Sequence, residues 1–225
     1  MEKKCAKRHV AVIESCVMSE MGLSHLFSAS AFSAYKLHFF KDYPAFEAAA
    51  PGMPFFSVIF SLSGLRAQRI ECLKSLLKLA NAYPSAQRIV LAQDDTEVRL
   101  MSLLSPSSLH GIISKTLAIG LLQEQLSILL HNTHRLNENV INDWYISKNN
   151  GLSPTERAIL HYMTYGYSMP EIANCLSRNI KTVRAHKFNA MTKLGVHSDA
   201  GLLDAADILM HISVDRKPPA VHMFA

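Results

Sequence analysis

Cationic side chains between Ser177 and Gly195 are the residues of this chain whose types and spacing best suit chemistry on a polyanion. This stretch contains no Asp or Glu. Lysine and arginine neutralise phosphates, and the arginine fork also fits the O6/N7 edge of guanine, which is worth about 1–3 kcal/mol of discrimination. The pattern therefore indicates contact with DNA. Its cationic members are Arg178, Lys181, Arg184, Lys187 and Lys193.

Helical periodicity divides this stretch into two faces. At about 3.6 residues per turn, Val183, Ala190, Met191 and Leu194 fall on one side and are expected to face other helices. The side chains expected to face outward are Lys181, Arg184, Lys187 and Phe188. We expect Thr182, His186 and Asn189 to bond phosphate oxygens, and an outward Phe188 to meet a thymine methyl group. A solvated surface helix is the alternative interpretation. The predicted DNA-binding residues are Lys181, Thr182, Arg184, Ala185, His186, Lys187, Phe188, Asn189 and Lys193.

Three short helices between residues 152 and 194 must position this basic face. Ser153 with Glu156, and Ser168 with Glu171, have the spacing of capping boxes that open the first two helices. Asn179 is a favourable N-cap for the third helix. Glycines 166 and 195 stand where the first and third helices would end. Two helices joined by a short polar turn, the second one basic, place a helix in the DNA major groove.

Five motifs of this region carry a resemblance to a known family. They are LSPTER at 152–157, GYS at 166–168, EIA at 171–173, TVRAH at 182–186 and KLGV at 193–196. Together they resemble the LuxR/FixJ-type helix-turn-helix domain. The resemblance implies a fourth helix after Gly195 that helps two subunits pair on DNA. Ser198 is expected to cap it, and its apolar stripe would be Leu202, Leu203, Ala206 and Leu209, although any core helix has such a stripe.

The first half alternates apolar strands with helices, which predicts a five-stranded parallel sheet wound on both faces, an α/β fold. Strands are predicted at 9–13, 35–40, 55–62, 88–92 and 111–114. Helices are predicted at 18–29, 42–50, 67–81, 96–104 and 117–131. The expected domains are a receiver-like domain at 1–131, a linker at 132–150 with Trp144 docked on a domain, an all-α helix-turn-helix domain at 151–214 and a mobile tail at 215–225.

This order of elements resembles the receiver domain of response regulators. A working receiver needs paired acids after the first strand, an Asp nucleophile ending the third, a hydroxyl ending the fourth and a Lys ending the fifth. The acids hold Mg²⁺ while the Asp attacks phosphorus. The corresponding residues here are Glu14, Ser15, Ser61, Ala92 and Lys115. One carboxylate and a serine hydroxyl cannot form the metal-assisted acyl phosphate, so we expect a degenerate site that is not phosphorylated.

Other candidate sites are weaker. Asp94 and Asp95 suit a surface loop with a helix cap better than a displaced metal site. An enzyme built on Ser61 or on this Asp pair is not favoured, because no nucleophile, base and orienting residue assemble in the sequence. We expect no metal and no cofactor. The four scattered cysteines and the lack of a long apolar run indicate a cytoplasmic protein with reduced thiols, associated with the nucleoid when bound to DNA.

The expected function is therefore that of a DNA-binding transcription activator that works without phosphorylation. Its net charge of +5 suits double-stranded DNA as a partner. The resemblance implies a heterodimer with the response regulator RcsB that relieves silencing of target operons. Two alternatives stay open. One is a homodimer controlled by unconventional phosphorylation or a small ligand. The other is an adaptor that modulates a partner regulator without touching DNA.

Overall fold

The computed structural model describes residues 7–104, 109–131 and 151–212. Its first half contains one sheet of five parallel strands in the order β2-β1-β3-β4-β5. This confirms the predicted α/β fold with a doubly wound sheet. The strands are β1 (Arg8–Ile13), β2 (Tyr35–Phe40), β3 (Phe55–Ser61), β4 (Gln87–Ala92) and β5 (Gly111–Ser114).

Four helices connect these strands, a fifth follows β5, and together they cover both faces of the sheet. They are α1 (Val17–Leu26), α2 (Tyr43–Ala49), α3 (Arg66–Ala82), α4 (Asp95–Leu104) and α5 (Ile119–His131). Alternate strand residues supply the two cores, as the two-residue period of a strand requires. Val10 and Val12 pack with α1 and α5, whereas Ala11 and Ile13 pack with α2, α3 and α4. Both faces are thus buried, which explains the near-continuous apolar runs of β1, β3 and β4.

Some predicted element ends were displaced for local reasons. The first helix ends at Leu26 instead of residue 29, and a short 3₁₀ turn (Ser30–Phe32) follows it. The rings of Phe27 and Phe32 stack with centroids 4.3 Å apart, which holds the chain in this turn. Asp42 lies outside α2 as its N-cap, accepting a hydrogen bond from the Ala45 amide at 2.9 Å.

The second half is all-α, as predicted. Its helices are α6 (Pro154–Thr164), α7 (Met169–Cys175), α8 (Ile180–Leu194) and α9 (Asp199–Ile212). Buried Ile159, Ile172, Val183 and Leu202 form part of its core. Of the expected stripe on α9, Leu202 and Ala206 are fully buried and Leu203 and Leu209 are half-buried, so this stripe packs within the chain.

The expected linker at 132–150, with Trp144, and the expected tail at 215–225 lie outside the described residues. Within the parts of the chain that the structure describes, no helix has both the length and the apolar character of a membrane span.

Candidate nucleic-acid interface

Helix α8 is held by defined structures at both of its ends. At the start, the Asn179 side-chain oxygen accepts a hydrogen bond from the Lys181 amide at 2.8 Å. At the end, Gly195 adopts a left-handed conformation with φ of 60°. The turn before the helix contains Ser177 with φ of 50°, and there the Arg178 amide donates to the Ala173 carbonyl at 2.9 Å. This 6→1 bond is typical of a helix C-terminal motif and directs the chain from α7 into α8.

Capping boxes fix the two helices that support α8. The Glu156 carboxylate accepts from the Ser153 amide at 2.7 Å, and the Ser153 hydroxyl accepts from the Glu156 amide at 3.2 Å. The Glu171 carboxylate accepts from both the amide and the hydroxyl of Ser168. These bonds satisfy donors that every helix N-terminus leaves free. Both capping boxes predicted from the sequence are thereby confirmed.

The outward face of α8 is exposed and basic, with one large aromatic ring. Val183, Ala190 and Leu194 are buried, which leaves the opposite side of the helix to solvent. Phe188 has 69% of its surface exposed, a high value for a phenylalanine. Thr182 and His186 lie half-buried at the edge of this surface. The exposed residues of the face, defined here as the reading face, are Lys181, Arg184, Ala185, Phe188 and Asn189.

Lys187 does not share the reading face, and its predicted outward position was wrong. It lies one turn after Val183 and one turn before Ala190, so the helix turns it toward the buried side. Its side chain is only 17% exposed, and its ammonium donates to the Asp199 carboxylate of α9 at 2.7 Å. Lys187 therefore connects α8 to α9 in the structure.

Lys193 also has an internal partner. Its ammonium lies 2.8 Å from one carboxylate oxygen of Glu156 and 3.0 Å from the other. That carboxylate is almost fully buried. Burial alone would raise the pKa of Glu156, but the hydrogen bonds from Lys193 and Ser153 outweigh burial and hold it below its ordinary value. Lys193 thus links the end of α8 to the capping box of α6, a role that its position in a basic run did not reveal.

The carboxyl edge of the sheet brings four of the five degenerate-site residues together. The Ser61 hydroxyl donates a short hydrogen bond to the Glu14 carboxylate, which also accepts from the Cys16 amide at 2.8 Å. The Lys115 ammonium lies 3.9 Å from Glu14. The Lys115 amide donates to the Ala92 carbonyl at 2.9 Å. Ser15, the fifth residue, is exposed beside this edge.

Lys115 is bound to the protein backbone at this edge. Its ammonium donates to the Leu62 carbonyl at 2.6 Å, and burial lowers its pKa. The Gln93 amide group donates to the same carbonyl, a contact that sequence reasoning missed. The Asp94 carboxylate accepts from the Glu97 amide at 2.8 Å, which confirms the helix-cap interpretation of Asp94. The edge is therefore a network of internal hydrogen bonds.

Comparisons with known proteins agree with this geometry. The family model of bacterial regulatory proteins of the luxR family matches residues 150–206. The transcriptional activator protein BglJ of Escherichia coli (strain K12) is 48% identical over 204 residues, which cover 91% of each chain. The transcriptional regulatory protein RcsB of the same strain is 33% identical over 129 residues, 54% of this chain and 58% of RcsB.

Solved structures of RcsB share the fold. The structure of an RcsB–DNA complex has a TM-score of 0.68 at 24% identity and covers 90% of this chain and 99% of that chain. RcsB from Salmonella enterica serovar Typhimurium, bound to the promoter P1flhDC with a phosphomimetic, gives a TM-score of 0.68 at 25% identity with the same coverage.

Proposed function

Because this chain belongs to the luxR family of bacterial regulatory proteins, in the group of the transcriptional activator BglJ, we propose that it binds double-stranded DNA through the reading face of α8. We further propose that it does so without phosphorylation of its receiver-like half. A third part of the proposal is that RcsB supplies the second subunit.

The observation that carries the DNA-binding proposal is the reading face itself. Arg184 and Lys181 are exposed on a helix without acidic residues, and capped helices hold that helix from behind. Arg184 is our candidate for base recognition, because its guanidinium can bond guanine through two parallel hydrogen bonds. Lys181, Thr182, His186 and Asn189 would bond phosphates, and Phe188 would contact a thymine methyl group. Lys187 and Lys193 are left out because their ammonium groups pair with Asp199 and Glu156.

Independence from phosphorylation is supported by the groups at the carboxyl edge. Ser61 replaces the carboxylate that attacks phosphorus, and its hydroxyl donates to Glu14, the one carboxylate of the site. A hydroxyl cannot form an acyl phosphate, and one carboxylate engaged by a serine and an amide is a poor Mg²⁺ site. Incubation with acetyl phosphate and Mg²⁺ should leave the intact mass of this protein unchanged. RcsB treated in parallel serves as the positive control, and a phosphoryl adduct on this chain would refute the proposal.

Pairing with RcsB is supported by the likeness to BglJ over most of the chain and by the shared fold with RcsB. In a heterodimer each subunit would place one helix on a half-site, with half-sites about 34–36 Å apart. A subunit without a phosphorylation switch would then act through its abundance and through the choice of partner.

DNA binding to promoter fragments, measured for this protein alone, for RcsB alone and for the mixture across a salt series, tests the proposal. We expect specific binding by the mixture beyond that of either protein alone. Replacing the wild-type chain by Arg184→Ala in the mixture separates DNA reading from adaptor action. An adaptor that never touches DNA would leave the specificity of the mixture unchanged by this substitution. Tight specific binding by this protein alone would instead establish a homodimer.

One feature favours the alternative in which a small ligand controls a homodimer. A cavity of about 270 Å³ lies beside the carboxyl edge, lined in part by Lys41, Tyr43, Ser61 and Glu71. The Tyr43 hydroxyl is buried and has no hydrogen-bond partner among the described residues. Under the heterodimer proposal, Tyr43→Phe should leave DNA binding by the mixture unchanged. If a ligand bound to this hydroxyl controlled the protein, the same substitution would weaken DNA binding.

A further inference from the structure

An ionic cluster joins the two halves of the chain. The Arg66 guanidinium of α3 forms a two-point contact with Asp207 of α9, with both N–O distances at 2.8 Å. Arg69, one turn later on α3, pairs with Asp204 and also lies 3.9 Å from Asp207. Asp207 is 1% exposed, so the interface shields it from water. Two arginines thus face two aspartates across the halves, and we define these four residues, together with the Arg99–Gly195 contact described below, as the clamp.

Helix α4 supports the clamp from the receiver-like side. The Glu97 carboxylate lies 3.9 Å from the Arg69 guanidinium, and its other oxygen accepts from the Gln93 amide at 2.7 Å. The Gln93 side chain donates in turn to the Leu62 carbonyl, which Lys115 also bonds. The carboxyl edge of the sheet is therefore connected to the clamp by consecutive contacts.

A second contact reaches the DNA-facing helix directly. The Arg99 guanidinium of α4 donates to the Gly195 carbonyl at the end of α8. Carbonyls at a helix C-terminus lack internal partners and favour a cation. A Cβ atom added at Gly195 would overlap the Arg99 guanidinium, so the arginine would have to move away and lose this contact. One residue of the receiver-like half thereby holds the last turn of the helix that carries the reading face.

Apolar packing accompanies these ionic contacts. The core under α3 and α4 is continuous with the core of the helical half. Helix α9 lies between the two, since its buried residues Leu202, Ala205 and Ile208 belong to this same core. The ionic contacts therefore lie at the border of a packed interface, where water competes with them less than on an open surface.

We propose that Arg66, Arg69 and Arg99 are positioning residues for DNA reading, which fix α8 at one orientation relative to the receiver-like half. The carboxyl edge anchors α4 in this arrangement, because the Gln93 side chain, in the loop before α4, donates to the Leu62 carbonyl that Lys115 also bonds. The consequence for DNA rests on the proposed function, whereas the fixed orientation does not. A receiver-like half without a switch would then be retained as a scaffold for the reading helix.

Nitroxide distance measurements test the fixed orientation without DNA. The native thiols Cys16 and Cys175 are exposed, one in each half. Both can be labelled in a Cys5→Ser background, and burial raises the pKa of the Cys72 thiol, which slows its labelling. We expect one narrow distance distribution in the parent and a broad one in the double variant Arg66→Gln/Arg99→Gln. A broad parent distribution, or a narrow one in the variant, would overturn the proposal.

Two matched controls separate the clamp from general effects. Lys74→Gln/Lys78→Gln removes the same charge from exposed positions of α3 and should leave the distribution narrow. Gly195→Ala and Gly166→Ala each place an alanine in a left-handed conformation, at φ of 60° and 82°, but only the Cβ at position 195 would displace the Arg99 guanidinium. Gly195→Ala alone of these two should broaden the distribution. Equal broadening by both would assign the effect to helix ends and contradict the clamp.

The DNA readout uses the same variants. Loss of the clamp should weaken specific binding by about 2- to 30-fold, the size of an indirect coupling, although no DNA contact is removed. Higher affinity in the clamp variant would show that the contact inhibits binding and would overturn the positioning role. Arg184→Ala should weaken specific binding by about 5- to 150-fold and keep the narrow distribution. Failure of specific DNA binding by the parent mixed with RcsB, together with a narrow distribution, would refute the proposed function and leave the fixed orientation standing.

Discussion

The helix-turn-helix half resembles its family in both structure and side chains, whereas the carboxyl edge of the sheet resembles a receiver in structure alone. In the helical half, the caps, the turn and the basic face agree with one another and with the family motifs. At the edge, the strands stand where a receiver has them, but the chemical groups differ. Ser61, Lys115 and Gln93 each have a partner within the chain: Ser61 with Glu14, and Lys115 and Gln93 with the Leu62 carbonyl. Fold and site chemistry are thus separable, because buried polar groups need partners whether or not a reaction uses them.

The same contrast exists on a smaller scale within α8. Among the residues that the structure describes, its positive charges divide between exposed side chains without a carboxylate partner and two lysines that carboxylates of neighbouring helices bind. Arg184 belongs to the first group, and Lys187 and Lys193 belong to the second. A basic helix therefore supplies both a reading face and the ties that keep it in place, and substitutions should separate these two roles.

The largest effect on folding is expected from Lys193→Met. This change leaves the buried Glu156 carboxylate without its cation, and breaking a buried ion pair costs about 3–5 kcal/mol. Because Lys193 is partly exposed, we expect the lower end, a loss of about 3 kcal/mol in the free energy of unfolding. Urea denaturation measures it. The double variant with Glu156→Gln should recover part of the loss. A stable Lys193→Met protein with weakened DNA binding would return Lys193 to the reading face.

Arg184→Ala should have the largest effect on DNA. Loss of a two-point guanine contact costs about 1–3 kcal/mol, which is about a 5- to 150-fold loss of specific binding, and should relax base choice at one position. Lys187→Ala should cost less and should act equally on all sequences, because its ammonium faces Asp199. Unfolding of Arg184→Ala should match wild type. A larger sequence-selective loss at Lys187 than at Arg184 would contradict the division of charges within α8.

Acid should weaken the helical half through Glu156. Its folded-state pKa is depressed below the ordinary value of 4.5, so the stabilisation is complete above that value and is lost as the pH falls through the folded-state pKa. Thermal unfolding between pH 6 and 3 measures the slope. Glu156→Gln, which cannot titrate, should show a shallower decline below pH 4.5 than wild type. Equal slopes would mean that the Lys193 contact does not favour the charged carboxylate.

The helices, the strands and the residues of the carboxyl edge could be predicted from the sequence because local signals determine them. Strand period, capping spacing and the residue at each strand end are all contained in short segments. The partners of Lys187, Lys193 and the clamp were not accessible. Arg66 and Asp207 are 141 residues apart in sequence. The periodicity of a helix shows which side is apolar but does not predict which other helix packs against it. Whether a lysine of α8 points outward or pairs inward depends on where α9 and α6 lie.

A substitution in the turn between α7 and α8 is expected to stabilise the protein, whereas the substitutions above weaken it. Ser177 adopts φ of 50°, a left-handed conformation that costs an L-residue energy and that glycine adopts freely. Glycine also gains freedom in the unfolded chain, which offsets part of the relief. We expect Ser177→Gly to stabilise the protein by about 0.5–1 kcal/mol in urea denaturation. Ser177→Ala, which keeps the strain, serves as the control and should give no gain. Stabilisation by both variants would place the cause in the lost hydroxyl instead of the backbone. Ser177 is exposed and precedes the reading face, so DNA affinity should change less than stability.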